Sequence, residues 1–280
     1  MGQRKNHGKL IIIGGREDKE KELEILRTVA DHVGNGKLCI VSVASSVGDE
    51  LWDDYSRIFK SLGVKKLTHL DVVHRTEAID QKAYKAVKDA NAVFFTGGDQ
   101  LKITSELGGT VVGDRIYEIF KAGGVIAGTS AGASVMGEIM MVAGESDKTF
   151  RIGRGLNMSA GLGFAPQLLI DQHFAERGRI GRLLAAVAHN PRYLGIGIDE
   201  DTAIIMEDKC FKVIGNGAVY VIDAHESNGL NISEAPMDTT LSIHNVKLHL
   251  LSRDDKFDLA TKIPVKGDAA SKSGALKSVS

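Results

Sequence analysis

The sequence predicts an α/β fold: a largely parallel sheet with helices on both faces, carrying antiparallel β additions in its C-terminal third. Three observations carry that expectation. From Lys9 to about Ser130, short apolar runs alternate with amphipathic stretches, the pattern of buried strands joined by crossover helices. From Thr202 the pattern changes to apolar alternation broken by tight-turn signals, which fits antiparallel pairing. The length, 280 residues at 43% hydrophobic composition, is enough to bury a full-sized core in one α/β domain over 8–265.

The strand candidates come first. KLIIIGG (9–15), KLCIVSVASS (37–46), KKLTHLDV (65–72), NAVFFTGG (91–98) and VIAGTS (125–130) are short, rich in β-branched or aromatic residues, and bounded by glycine or polar residues. Between them Leu23, Leu26, Ala30 and Val33 recur at helical spacing, as do Leu51, Tyr55, Ile58 and Leu62, and then Tyr84 and Val87. A second strand–helix–strand unit is expected from LLIDQHF (168–174) through RIGRLLAAVAHN to YLGIGID (193–199), with Pro191 ending the helix. Further on, Glu207-Asp208-Lys209 and Gly215-Asn216-Gly217 read as hairpin turns. Residues 266–280, rich in Ser, Lys, Gly and Ala, hold too little apolar surface to offset ordering entropy and are expected to be a disordered tail.

Composition excludes several classes. Thirty-five basic residues against 36 acidic ones leave no net field to favour nucleic acid or an anionic membrane. The polar start MGQRKNHGK runs into an apolar segment too short for a signal core or a membrane span, and Asn6 breaks the myristoylation pattern. A cytoplasmic protein is expected. Cys39 and Cys210 lie far apart in apolar stretches, with no metal-ligand spacing, and read as reduced core residues. No metal and no cofactor are expected. Gly14-Gly15 lacks the remaining glycines of a dinucleotide fingerprint and reads as a packing turn.

The most informative stretch is GGVIAGTSAGASVMG, where a buried strand ends in Gly128-Thr129-Ser130-Ala131-Gly132 and matches G-x-S-x-G. A nucleophile on a sharp strand-to-helix turn adopts strained backbone angles, and only small flanking residues let strand and helix approach. The same pattern also serves a glycine-rich turn that binds phosphate, or nothing. A serine hydroxyl needs a base to take its proton and a third group to orient that base. His173, at the end of LLIDQ, and Glu200, after GIGID, are candidates because both would emerge from strand ends. Glu200 with Asp199 and Asp201 also fits a solvated acidic turn. The histidine precedes the acid along the chain, opposite to the α/β-hydrolase order, and no HGGG-type oxyanion loop is present.

Four segments in order, FFTGGDQLKITSELGGT, VIAGTSAGASVMGE, IDQHFAERGRIGRL and GIGIDEDTAI, closely resemble the cyanophycinase family over roughly residues 8 to 265. These are serine peptidases related to aspartyl dipeptidases, with a flavodoxin-like fold similar to class I glutamine amidotransferases. The resemblance implies a Ser–His–Glu triad on Ser130, His173 and Glu200. It implies hydrolysis of cyanophycin, a poly-aspartate with arginine on each side-chain carboxyl, to β-aspartyl-arginine dipeptides, and it implies a homodimer. Backbone N–H groups of Gly98, Asp99 and Ala131 would form the oxyanion hole. Gln100, Asp171, Gln172, Arg177, Arg179 and Arg182 would contact substrate, which fits a ligand carrying both carboxylates and guanidinium groups. Direct acyl transfer to serine requires no cofactor. Asp99 also reads as a helix N-cap, and the three arginines as a solvated helix face. A dipeptidase acting on short aspartyl or isoaspartyl peptides is the nearest alternative, and a non-catalytic binding module of the same fold is another. The arginine cluster and the long C-terminal β region favour the polymer-cutting reading.

Overall fold

The computed structural model describes residues 8–143, 150–153 and 155–265; the expected tail, 266–280, lies outside them. The first half alternates as expected. β1 (Lys9–Ile13), α1 (Glu24–Val33), β2 (Lys37–Val41), α2 (Gly48–Ser61), β3 (Lys66–Leu70), α3 (Gln81–Val87) and β4 (Ala92–Phe95) are followed by α4 (Gln100–Leu107), α5 (Val111–Lys121) and β5 (Val125–Thr129). Periodicity alone does not announce α4 and α5, because Gly108-Gly109 interrupts the apolar spacing there. A one-turn helix α6 (Ala131–Ser134) and a short hairpin, β6 (Ile139–Ala143) with β7 (Asn157–Ala160), come next. The chain continues through β8 (Leu168–Gln172), α7 (Ile180–His189), β9 (Leu194–Ile198), β10 (Thr202–Glu207), β11 (Cys210–Gly215), β12 (Val219–Asp223), β13 (Lys247–Leu251), β14 (Lys256–Asp258) and β15 (Ile263–Val265).

The main sheet has nine strands in the order β15-β14-β11-β10-β1-β5-β4-β2-β3. Strands β1 to β5 run parallel, and β10 starts the antiparallel extension beside β1. β1 is therefore central, and Leu10, Ile11, Ile12 and Ile13 are fully buried. Full burial of such side chains is worth about 1.5–3 kcal/mol each. Side chains alternate across the sheet: Ile11 and Ile13 meet α1 and α2, while Leu10 and Ile12 join the core under α3, α4 and α5. Both faces of the sheet are thus covered, as a parallel sheet requires.

Two differences from the sequence expectation concern where strands go. The unit β8–α7–β9 is a parallel strand–helix–strand, but it builds a second, four-stranded sheet in the order β13-β12-β9-β8. One face of this sheet, with Leu168, Ile170 and Ile196, adds to the core beneath the main sheet, and α7 covers the other. The turn Glu207-Asp208-Lys209 does close the β10–β11 hairpin. Gly215-Asn216-Gly217, in contrast, carries the chain from one sheet to the other, because β12 pairs with β9 and β13 and not with β11. Gly215 holds φ 99 there, and the Asn216 N–H donates to the Asp201 carbonyl at 2.9 Å, so the turn folds back onto Asp201.

Cys39 is fully buried in β2, and burial pushes its thiol up to about 12. Cys210 corrects the expectation of a second core thiol: it is only half-buried at the start of β11, and both thiols are free. Among the described residues no helix is long and apolar enough to cross a membrane.

Candidate active site

β5 ends at Thr129, and the chain turns sharply at Ser130, whose φ of 54° and ψ of −113° lie outside the regions L-residues prefer. Such a conformation costs on the order of 1–3 kcal/mol and persists only where its surroundings impose it. Here the Ser130 N–H donates to the Ile13 carbonyl at 3.1 Å. The flanking glycines are required by close approach. A Cβ on Gly128 would stand 2.4 Å from the Gly132 carbonyl oxygen, and one on Gly132 would stand 2.4 Å from that of Phe95.

His173 follows β8 and Glu200 follows β9, so adjacent strands of the second sheet deliver both side chains to the serine of the first. Ser130 Oγ lies 3.0 Å from His173 Nε2, and His173 Nδ1 lies 2.7 Å from Glu200 Oε1. The carboxylate can only accept, so Nδ1 carries the proton and the Nε2 lone pair faces the serine hydroxyl. His173 is 5% exposed, with its backbone at φ 47°. Burial holds the imidazole pKa below its usual 6.5; the hydrogen bond and charge of Glu200 oppose this, and the charges of Arg177 and Arg179 reinforce it. The ring is therefore neutral near pH 7 and able to accept a proton.

The turn after β1 grips this pair. Its Gly14 carbonyl accepts the His173 N–H at 2.8 Å, and its Gly15 carbonyl accepts the Asp201 N–H at 2.9 Å. Gly15, at φ 104°, lies against the imidazole, where a Cβ would come within 2.4 Å of Cε1. The packing turn read from the sequence thus packs on the candidate base, a role that two glycines after a strand do not reveal. Phe174 is wedged over Gly197 of β9 in the same manner. Nor is 199–201 a loose acidic turn. Asp199 is buried and accepts from the Ala175 and Ala218 N–H groups at 2.9 and 3.1 Å. Asp201 accepts from the Asp18 N–H at 2.8 Å, and the Glu200 N–H donates to Glu176 Oε1 at 3.2 Å.

Of the three expected oxyanion donors, the structure removes one. The Asp99 N–H donates to the Ala44 carbonyl at 2.8 Å, and the Asp99 side chain caps α4 through the Leu101 N–H at 2.8 Å. Asp99 is an N-cap and not a free donor. Gly98 and Ala131 carry no such commitment among the described residues. Ala131 heads α6, where a first-turn N–H has no partner within the helix. The turn after β4 does stand beside the serine: a Cβ on Gly97 would lie 3.4 Å from that of Ser130.

The expected substrate contacts divide. Asp171, 1% exposed, accepts a forked pair from Arg182, through Nε at 2.8 Å and Nη2 at 2.5 Å, and a third bond from Arg179 Nη1 at 3.0 Å. Arg179 Nη1 also donates to the Gln172 carbonyl at 2.5 Å. Burial lowers the Arg179 guanidinium to about 10, against the pull of Asp171, and it remains charged at neutral pH. Asp171, Arg179 and Arg182 thus form a buried ion cluster at the end of the strand that precedes His173, not a solvated helix face. Gln100 spends its amide nitrogen on the Met141 and Val142 carbonyls, at 3.0 and 3.3 Å, and so ties α4 to β6. Arg177 is exposed just past His173. Gln172 Oε1 and Arg179 Nε are buried without a protein partner among the described residues, and these are the polar atoms a ligand could satisfy. Among the described residues no group of three or more His, Cys, Asp or Glu side chains could hold a metal ion.

Comparison with known proteins finds relatives that cover most of the chain. A cyanophycinase of Geminocystis herdmanii is 38% identical over 264 residues, covering 92% of this chain and 96% of that protein. One of Trichormus variabilis is 39% identical over 255 residues, covering 89% and 85%. Among solved structures, a peptidase from an acI-B1 Actinobacterium superposes with a TM-score of 0.65 at 23% identity, covering 91% of this chain and 98% of that one. A putative peptidase E protein from Listeria monocytogenes gives 0.53 at 16% identity, covering 75% and 100%; both show the shared fold. The family model described as Peptidase family S51 matches residues 10–214. On these matches, which span the serine turn and both strand ends that face it, the chain belongs to peptidase family S51.

Proposed function

We propose that this protein hydrolyses cyanophycin to β-aspartyl-arginine dipeptides through an acyl-enzyme, in the cytoplasm and as a homodimer. The observation that carries the chemistry is the unbroken line from Ser130 Oγ through His173 to Glu200, at 3.0 and 2.7 Å. The substrate follows from full-length similarity to proteins named cyanophycinase. Ser130 Oγ attacks an aspartyl carbonyl as His173 Nε2 takes its proton, and the carbonyl oxygen becomes an oxyanion within reach of the Gly98 and Ala131 N–H groups. Each such donor is typically worth about 3 kcal/mol of barrier. The protonated imidazole, held by Glu200, returns its proton to the leaving amine as the C–N bond breaks. Water then repeats the sequence on the ester, giving a free carboxylate and restoring Ser130.

The test is mass spectrometry of the products from purified protein and insoluble cyanophycin. A dominant β-Asp-Arg species supports the reading. Cleavage of small aspartyl dipeptides with the polymer left intact would replace it with a dipeptidase. Ser130→Ala is expected to lose roughly 10⁴-fold or more in turnover while keeping its fold, and wild-type turnover in that variant would reject the serine mechanism.

A further inference from the structure

A buried carboxylate outside the Ser–His–Glu line touches the serine turn. Glu17 is 4% exposed and accepts two hydroxyl hydrogen bonds, from Thr129 Oγ1 at 2.6 Å and from Tyr55 Oη at 2.5 Å. Both donors are themselves 3% exposed. Burial, followed by the charge of Glu17, holds the Tyr55 phenol well above its usual value of 10, so it stays protonated and donates. A carboxylate this enclosed carries a large desolvation cost, and its geometry ties it to specific partners.

Thr129 is the residue before Ser130, and the first turn after β1 holds both. Ile13 pairs with Thr129 in the sheet and accepts the Ser130 N–H at 3.1 Å; Glu17, four residues on, takes the Thr129 hydroxyl. The same short segment supplies the Gly14 carbonyl to the His173 N–H and the Gly15 face to its ring. One stretch of chain therefore fixes the serine turn from one side and the histidine from the other. The Glu17–Thr129 bond is a side-chain link between that stretch and the residue before Ser130.

We infer that Glu17 is a positioning residue for the nucleophile, acting through the Thr129 hydroxyl to hold Ser130 Oγ in line with His173 Nε2. The inference rests on Ser130 being the nucleophile. Thr129→Val removes the hydroxyl with little change of shape, and Glu17→Met keeps the side-chain length but removes both acceptor oxygens. Misplacement of a reacting group by about 1 Å can cost about 10²-fold. Each variant is therefore expected to lose roughly 10- to 100-fold in kcat per active site, with KM held within about twofold. Active sites are counted by mass of the adduct with an organophosphonate serine probe, so loss of folded protein does not register as slower turnover.

The double variant should be no slower than the worse single one, because both changes remove the same bond. Tyr55→Phe removes the other bond to the same carboxylate away from the turn; it should lower the melting temperature while reducing kcat less than Thr129→Val does. Wild-type kcat per site in Thr129→Val would overturn the inference, and so would equal kcat losses in Tyr55→Phe and Thr129→Val. If Glu17→Met fails to fold, Thr129→Val and Tyr55→Phe still decide the matter. Wild-type turnover in Ser130→Ala, by contrast, would remove the nucleophile itself, so the two failures are distinguishable.

Discussion

Glu200 holds the Nδ1–H of His173 at 2.7 Å, with the Arg16 guanidinium 3.5 Å from the same carboxylate oxygen. The acid is thus acceptor to the imidazole and partner to a largely exposed cation at the mouth of the site. This one contact fixes which ring nitrogen faces Ser130.

Glu200→Gln should expose that dependence. An amide can turn its NH₂ toward Nδ1 and favour the opposite tautomer, leaving Nε2 protonated toward the serine. Turnover should fall by about 10⁴-fold with the melting transition nearly unchanged, as when a triad acid becomes an amide in other serine hydrolases. The check is kcat beside a thermal unfolding curve, and loss of less than tenfold would mean that Glu200 does not set the tautomer.

The pH profile follows from the depressed imidazole. His173 must be neutral to act as base, and its pKa lies below 6.5 because of burial, so kcat/KM should fall only as pH drops below that value. The sign for stability is the same: a group depressed by folding contributes stability above its unfolded pKa, and that contribution is lost as pH falls through the folded value. The Arg177 charge helps to depress this pKa, so Arg177→Gln should move the acid limb to higher pH. A limb that stays in place would separate Arg177 from the base.

Gly15→Ala tests the packing of the imidazole. The added Cβ would lie 2.4 Å from His173 Cε1, at a φ of 104° that alanine rarely adopts. The ring must move, and roughly 100-fold loss of kcat is expected. Labelling of Ser130 by an organophosphonate should slow in parallel, and an unchanged labelling rate would show that the ring had kept its place.

Arg182→Ala separates bracing from substrate contact. Removing one partner from the buried Asp171 cluster should destabilise the protein by about 3–5 kcal/mol, read by urea unfolding at constant slope. A rise in KM with unchanged stability would instead return Arg182 to the substrate.

The sequence carried the parallel half of the fold because each strand there is a local event. KLIIIGG and NAVFFTGG are apolar, short and punctuated by glycine, and nothing distant is needed to make them strands. It carried Ser130 for a similar reason, since the spacing Gly128-x-Ser130-x-Gly132 is itself the steric requirement of the turn. His173 and Glu200 were legible as strand-end residues, each of an ambiguous type.

The pairing of strands and the occupancy of donors were decided only in three dimensions. No feature of LLIDQ or GIGID says that they form a separate sheet whose edge meets the end of β5. The Asp99 N–H is taken by Ala44, and Asp171 is enclosed by Arg179 and Arg182; a hydrogen bond is a property of two partners, and a residue name states only what could be offered. Glu17 makes the point most fully. In the polar run REDKEKE it reads as one solvated charge among several, and only the approach of Thr129, 112 residues away, makes it a buried carboxylate beneath the candidate nucleophile.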